Sequence, residues 1–227
     1  TGEEQERIAK AMERLGMRMG VFVANFGTAF EPTTFTSGRA DARDNFLNDL
    51  RNAVEVAKRV RAKWMTIVLG TDDPSLPEGL KHANAVEMLK RGAEIFEPHG
   101  LVMVMEPLNP RDHAGLYLSR SDHAYALCKS VASPSVKILF DIYHQQISEG
   151  NLIPNLQRCW DEIGYFQIGD NPGRDEPGTG EINYRNVFRA IHAQSFTGIL
   201  GMEHGKSRDG KDGEQALLHA YRTADSF

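Results

Sequence analysis

The sequence predicts a parallel α/β protein closed as a (β/α)8 barrel. Three observations lead there. Short apolar stretches alternate with helical patterns along the chain, those stretches are almost continuously apolar, and four of them end in a polar residue. Strands that alternate with helices imply a parallel sheet. Unbroken apolar strands are expected where helices cover one sheet face and a core fills the other.

The elements follow in order. TGEEQERIAKAMERLG opens as a helix: Thr1 and Glu4 fit a capping box, Ile8, Met12 and Leu15 share one face, and Gly16 can end it. MRMGVFVAN (17–25) reads as a strand, followed by a Gly/Thr/Pro loop. A long helix from about Asp41 to Lys63 puts Phe46, Leu50, Val54 and Ala57 on one face. WMTIVLG (64–70) is a second strand, and the helix after TDDPSLPEG runs to about Glu97. LVMVMEP (101–107) is a third strand, with a helix after Ser121. VKILFDIYH (136–144) is a fourth, followed by a helix near Leu152–Ile163. YFQIGD (165–170), a Gly/Pro-rich loop and the helix YRNVFRAIHAQ come next. GILGMEH (198–204) is the sixth strand, and a helix containing EQALLHAYRTA closes the chain.

The polar strand ends decide between a barrel and an open doubly wound sheet. Glu106, Asp141, Gln167 and Glu203 are separated by 35, 26 and 36 residues. One βα unit of a barrel of about 250 residues averages roughly 31. In a barrel these ends converge on one mouth; in an open sheet, at about 4.8 Å per strand, they would spread over roughly 15 Å. No glycine-rich dinucleotide fingerprint follows an early strand. Residues 1–227 are therefore expected to form one barrel domain with about six of eight units. The first two strands are expected ahead of Thr1, in roughly 50–60 further residues, pairing between the stretches at 17–25 and 198–204.

Composition narrows the function. The chain has 227 residues, 41% hydrophobic and 25% charged, with a formal net charge of −5. That balance speaks against a nucleic-acid surface. No apolar run approaches the roughly 20 residues of a membrane span. Cys128 and Cys159 sit in helical patterns and are expected as buried free thiols. The cytoplasm is the expected compartment, with an exported form and a homo-oligomer left open.

Three carboxylates and an amide oxygen meeting at one point suit a hard divalent cation, Mg or Mn rather than Zn. Without a cation they would raise one another's pKa. His144, three residues after Asp141, is either a loop histidine bonded to backbone or a donor to a developing oxyanion; the second is favoured. In GDNPGRDEPGTGEINY, Arg174 is suited to clamp a carboxylate bidentately, and Glu181 to support the following helix. PLNPRDHAGLYLSRSDHA brings Asn109, Arg111, Asp112 and His113 to the same mouth as candidate substrate contacts.

EPLNPRDHAGLYLS, FDIYHQQISEGNL, FQIGDNPGRDEPGTGEINY and GILGMEHG together closely resemble the hydroxypyruvate isomerase family, within the xylose-isomerase-like barrels. The resemblance is dense from about Leu101 to Glu203. It implies Glu106, Asp141, Gln167 and Glu203 as ligands of one Mn or Mg ion, with Glu106 and Glu203 also the acid/base pair. It implies substrate contacts for His144 and Arg174, which Asn109 and Asp112 join as candidates. Related ketose epimerases typically carry His where this chain has Gln167, which favours the hydroxypyruvate isomerase branch.

The expected reaction moves the carbonyl of a small α-hydroxycarbonyl substrate through a cis-enediolate, foremost hydroxypyruvate to tartronate semialdehyde. A ketose 3-epimerase or 2-oxo-tetronate isomerase is the alternative, and a non-catalytic sugar- or metabolite-binding barrel the alternative of another class. An abasic-site endonuclease would need more histidine ligands and a basic face.

Overall fold

The structure, a computed structural model, describes residues 1–31 and 34–227. Its frame is a five-stranded sheet of β1 (Trp64–Ile67), β2 (Val102–Met105), β3 (Val136–Asp141), β4 (Ile163–Ile168) and β5 (Leu200–Met202), all parallel and in chain order. The helices α2 (Ala40–Val60), α3 (Glu78–Phe96), α4 (Ser121–Val131), α5 (Ile142–Ser148), α6 (Leu152–Arg158) and α7 (Tyr184–Ala193) fall before and between the strands. The chain starts with α1 (Gly2–Leu15) and closes with α8 (Gly210–Ala224).

Strand alternation splits the core in two. Met65, Ile67, Met103, Met105, Ile138, Phe140, Phe166 and Ile168 face outward and pack against Phe46, Leu50, Leu89, Phe96 and Leu127 of the helices. Val104, Leu139 and Tyr165 face inward, joined by Val21, Trp64, Val102 and Ile199. The sheet curls around this inner cluster. A Cβ at Gly201 on β5 would stand 2.6 Å from the Tyr165 hydroxyl, and one at Gly20 would stand 2.8 Å from it. Both positions need glycine because the phenol lies between them.

The first helix has the expected caps: Thr1 and Glu4 exchange the capping-box bonds, and Gly16 ends α1 at φ 64°. Cys128 and Cys159 are buried and free. Three expectations shift. The stretch 17–25 forms no strand. It is extended but makes a single parallel bridge, Val23 to Thr66, through Ala24 N–H to Thr66 O (3.0 Å) and Thr66 N–H to Phe22 O (2.9 Å). Met17 and Val23 are exposed there, so apolar content alone overstated the pairing. The strand expected over 136–144 stops at Asp141, because the Asp141 carboxylate caps α5 and turns the chain at once into helix. His144 is therefore helical. The helix expected to reach Ile163 ends at Arg158, a short 3-10 turn (Trp160–Glu162) intervenes, and β4 starts at Ile163. Positions 32 and 33 of the Gly/Thr/Pro loop lie outside the described residues.

The loop after β4 is built on one buried carboxylate. Asp170 Oδ1 accepts from the N–H groups of Asn171 (2.9 Å) and Ile182 (3.1 Å), and Oδ2 from Gly178 (2.8 Å) and Gly180 (2.9 Å). A run rich in Gly and Pro cannot form a regular ladder, so its amides need another acceptor, and one ionised side chain satisfies four. The same loop is sewn to the segment after β5: Gly205 N–H donates to Arg174 O (2.8 Å), and Ser207 donates its N–H (2.9 Å) and hydroxyl to Glu176. Asp170→Asn would replace one acceptor oxygen by a donor facing at least one of these amides. Hydrogen bonds to charged groups contribute roughly 1.5–3 kcal/mol each, so a loss of about 3 kcal/mol is expected in urea unfolding. A variant within about 0.5 kcal/mol of the parent would remove Asp170 from this role.

Candidate active site

The ends of β2, β3, β4 and β5 each contribute one polar residue to the inner face. Glu106 directly follows β2, its N–H donating to Ile67 O (3.2 Å). Asp141 ends β3 and is the register partner of Gln167 on β4. Glu203 follows β5, its N–H donating to Ile168 O (3.0 Å). Glu106, Asp141 and Gln167 each lie two residues beyond Val104, Leu139 and Tyr165, so the period of two puts them above the inner apolar cluster. Glu106, Asp141 and His144 bring one ligand atom each within 4.8 Å of one another. Glu106, Asp141, His144 and Gln167 are all buried, and Glu203 is half-exposed.

Gln167 carries the clearest signal in the site. Its Oε1 is buried and has no hydrogen-bond partner among the described residues. An unpaired amide oxygen away from water costs roughly 1–3 kcal/mol, so natural sites of this kind are matched by a ligand, ion or water. Set beside two buried carboxylates, the donor set is oxygen-rich and fits a hard divalent cation.

The imidazole of His144 is held by its back edge. Asn109 donates its backbone N–H to Nδ1 (3.2 Å), and its side-chain amide lies 2.6 Å from the same nitrogen. With Nδ1 accepting, the ring proton resides on Nε2. That nitrogen faces Glu106 (3.9 Å) and Asp141 (3.8 Å) beyond hydrogen-bond reach, so its proton is uncommitted. Burial, with Arg174 and His113 nearby, lowers the His144 pKa to about 3, so the ring is neutral across the physiological range. Asn109 is fixed in turn. Its Oδ1 accepts from Arg111 N–H (3.1 Å) and Asp112 N–H (2.9 Å), and its amide donates to Asp112 Oδ2 (3.0 Å), which also accepts from the Tyr143 hydroxyl (2.8 Å).

Arg174 lies across the opening. Its Nη2 donates to Glu203 Oε2 (2.6 Å) and Asp141 Oδ2 (3.2 Å), and the guanidinium carbon stands 4.7 Å from the centre of the Tyr143 ring. The backbone there is left-handed (φ 55°) and pinned by its N–H to Asp170 O (2.7 Å).

The carboxylates sit over a dry floor. Burial, with Asp141 and Glu203 as neighbours, pushes the Glu106 carboxyl well above the usual range despite Arg174. Burial raises Asp141 to about 7, against the pull of Arg174 and of the amides that cap it. Desolvation and like charge thus act together, and Arg174 offsets only part of both.

The structure brings Glu106, Asp141, His144 and Gln167 together and links Glu203 to them through Arg174. Asn109 and Asp112, read as substrate contacts, are engaged in holding His144 and Tyr143. Glu181 accepts from Asn171 and Gln146, tying the loop to α5. Tyr143 and Asp170 escaped the sequence reading. The only signals for them were the position of Tyr143 inside the D-x-x-H stretch and the acid that opens a glycine-rich loop.

Comparison with known proteins gives the same outline. Residues 1–224 match the model of the family described as xylose isomerase-like TIM barrel. The hydroxypyruvate isomerase of Escherichia coli K12 is 33% identical over 161 residues, covering 71% of this chain and 62% of that protein. A 2-oxo-tetronate isomerase of Cupriavidus necator is 35% identical over 160 residues, covering 70% and 62%. The chain thus aligns with less than two thirds of either relative's length. The crystal structure of an AP endonuclease, family 2, from Brucella melitensis superposes with a TM-score of 0.82 at 23% identity, over 96% of this chain and 83% of that one, a likeness of fold. With parallel strands curled around one inner cluster and a family match that runs almost end to end, the chain belongs to the xylose isomerase-like TIM barrel family.

Proposed function

We propose that residues 1–227 form one barrel unit of a metal-dependent isomerase. It moves the carbonyl of a short α-hydroxycarbonyl acid by one carbon, with hydroxypyruvate to tartronate semialdehyde the leading reaction. The observation that carries this is the buried, unpartnered oxygen of Gln167 beside Glu106 and Asp141. Relatives named hydroxypyruvate isomerase and 2-oxo-tetronate isomerase support the reaction class.

Glu106, Asp141, Gln167 and Glu203 would hold one Mn or Mg ion, all through oxygen. That ion supplies charge that polarises the substrate carbonyl and makes the neighbouring carbon-bound proton more acidic. The residues do the rest. Glu106 and Glu203 come from β2 and β5, three strands apart in the curled sheet, so a substrate between them meets a carboxyl group from two sides. One removes the proton from the carbon bearing the hydroxyl, leaving an enediolate; a glutamic acid returns a proton to the former carbonyl carbon, and the hydroxyl proton passes to the former carbonyl oxygen. The Nε2 proton of His144, bonded to no group among the described residues, is available to the oxygen where negative charge develops. Arg174 pairs with the substrate carboxylate, which free ketoses lack.

Isomerisation differs from 3-epimerisation in the carbon that receives the new proton: both take it from carbon 3, and isomerisation returns it to carbon 2. In heavy water with Mn, exchange should place deuterium on carbon 2 of the tartronate semialdehyde formed from hydroxypyruvate, with 2-oxo-tetronates next and free ketoses far slower; exchange confined to carbon 3 of ketoses would replace this reading with the epimerase. Treatment with EDTA should abolish that exchange, and Mn or Mg should restore it. Full turnover in the stripped protein would remove the cation. Glu106→Gln and Glu203→Gln should each lose at least about 10²-fold in kcat with unchanged circular dichroism, the lower end of what a positioned acid or base contributes. Near-parental turnover would take the residue out of the chemistry. Asn109→Ala releases the back edge of His144 and should lower kcat about tenfold, the lower end for a group that orients a functional histidine, with KM nearly unchanged. A rise in KM at constant kcat would make Asn109 a substrate contact instead.

A further inference from the structure

The guanidinium of Arg174 stands where a cation is needed. One nitrogen, Nη2, bonds Glu203 at 2.6 Å and Asp141 at 3.2 Å, two of the four groups assigned above to the divalent ion. A cation bonded to those oxygens and a guanidinium bridging them answer the same negative charge from the same side, so the two compete.

The geometry also provides for the arginine's departure. Its main chain is held at both ends, by its N–H to Asp170 O and by Gly205 N–H to its own carbonyl, so only the side chain need move. That side chain is about a third exposed. The Tyr143 ring, 4.7 Å from the guanidinium carbon, offers a cation–π seat that does not depend on the carboxylates. Nε is buried and lacks a hydrogen-bond partner among the described residues, so a donor beside Nη2 is unused there. Displaced from Asp141 and Glu203, the planar fork would present paired donors to an anion, the arrangement a carboxylate takes.

We propose that Arg174 is a specificity-determining exchange group: it neutralises Asp141 and Glu203 in the metal-free site, yields them to the divalent ion, and then binds the substrate carboxylate at the mouth. The proposal rests on the cation reading above and adds a linkage to it. Cation and carboxylate both favour the displaced arginine, so each strengthens the binding of the other. A neutral ketose gains nothing from that coupling. Arg174 thus selects acids by tying their binding to metal occupancy.

The test uses the whole chain stripped with EDTA, with Mn binding followed by the electron paramagnetic signal of the free ion. Pyruvate serves as a 2-oxo acid that cannot isomerise, and pyruvamide as its neutral counterpart. In the parent protein, saturating pyruvate should tighten Mn binding by about 5- to 150-fold, the usual range for coupled sites, and pyruvamide should not. Arg174→Met should bind Mn more tightly than the parent without any acid, and pyruvate should no longer tighten it. Arg174→Gln repeats this arm should the methionine variant misfold, and the comparison of pyruvate with pyruvamide needs no variant. Equal Mn affinity in parent and variant, or a pyruvate effect that survives in the variant, overturns the exchange and leaves the cation site standing. Absence of Mn binding from both proteins removes the cation site and the exchange together.

Discussion

The site depends on the register of a parallel ladder. Side chains alternate between the two faces of a strand, so a slip of one residue would send every polar strand end to the opposite face. The pairing of Asp141 with Gln167 fixes that register between β3 and β4 at the level of the site itself. Just below, the ladder carries an irregularity between Ile138 and Leu139, where Ile138 pairs with Ile163 and Leu139 with Tyr165. The inner apolar cluster and the polar mouth are thus successive layers of one alternation.

Charge is the second constraint. Glu106 and Asp141 are desolvated and face one another, with Glu203 close enough to act on both. Such a cluster is unfavourable unless protons, an arginine or a metal ion supply positive charge. In this structure burial shifts Glu106 and Asp141 toward the protonated form, and Arg174 bridges Asp141 to Glu203. The neutral imidazole of His144 belongs to the same economy of charge, since a second cation beside Arg174 would be repelled.

Much of this was legible in the sequence because two periodicities are strong. The spacing of polar residues after apolar runs placed Glu106, Asp141, Gln167 and Glu203, and the helical stripes located α1 and α2. Other features were written less locally. MRMGVFVAN has the composition of a strand, but a ladder needs a partner at successive residues, and it finds one only at Val23. DIYH reads as a continuing strand until Asp141 is recognised as a helix cap, since a short polar side chain serves equally at a strand end and a helix start. The contacts of Asn109 and Asp112 with His144 and Tyr143 could not be read from residue type, since both are simply polar and close to the mouth.

Tyr165 has a consequence beyond shaping the sheet. With Val104 and Leu139 it lays an apolar floor beneath the carboxylates, and its hydroxyl lies between Gly20 and Gly201. On the proposed reaction, a hydron lifted from a bound molecule would meet apolar side chains below, and would return to that molecule or leave toward the mouth. The ratio of internal return to washout is then governed by how well the mouth is covered, and Arg174, spanning that mouth from Glu203 to Asp141, is the side chain placed to govern it.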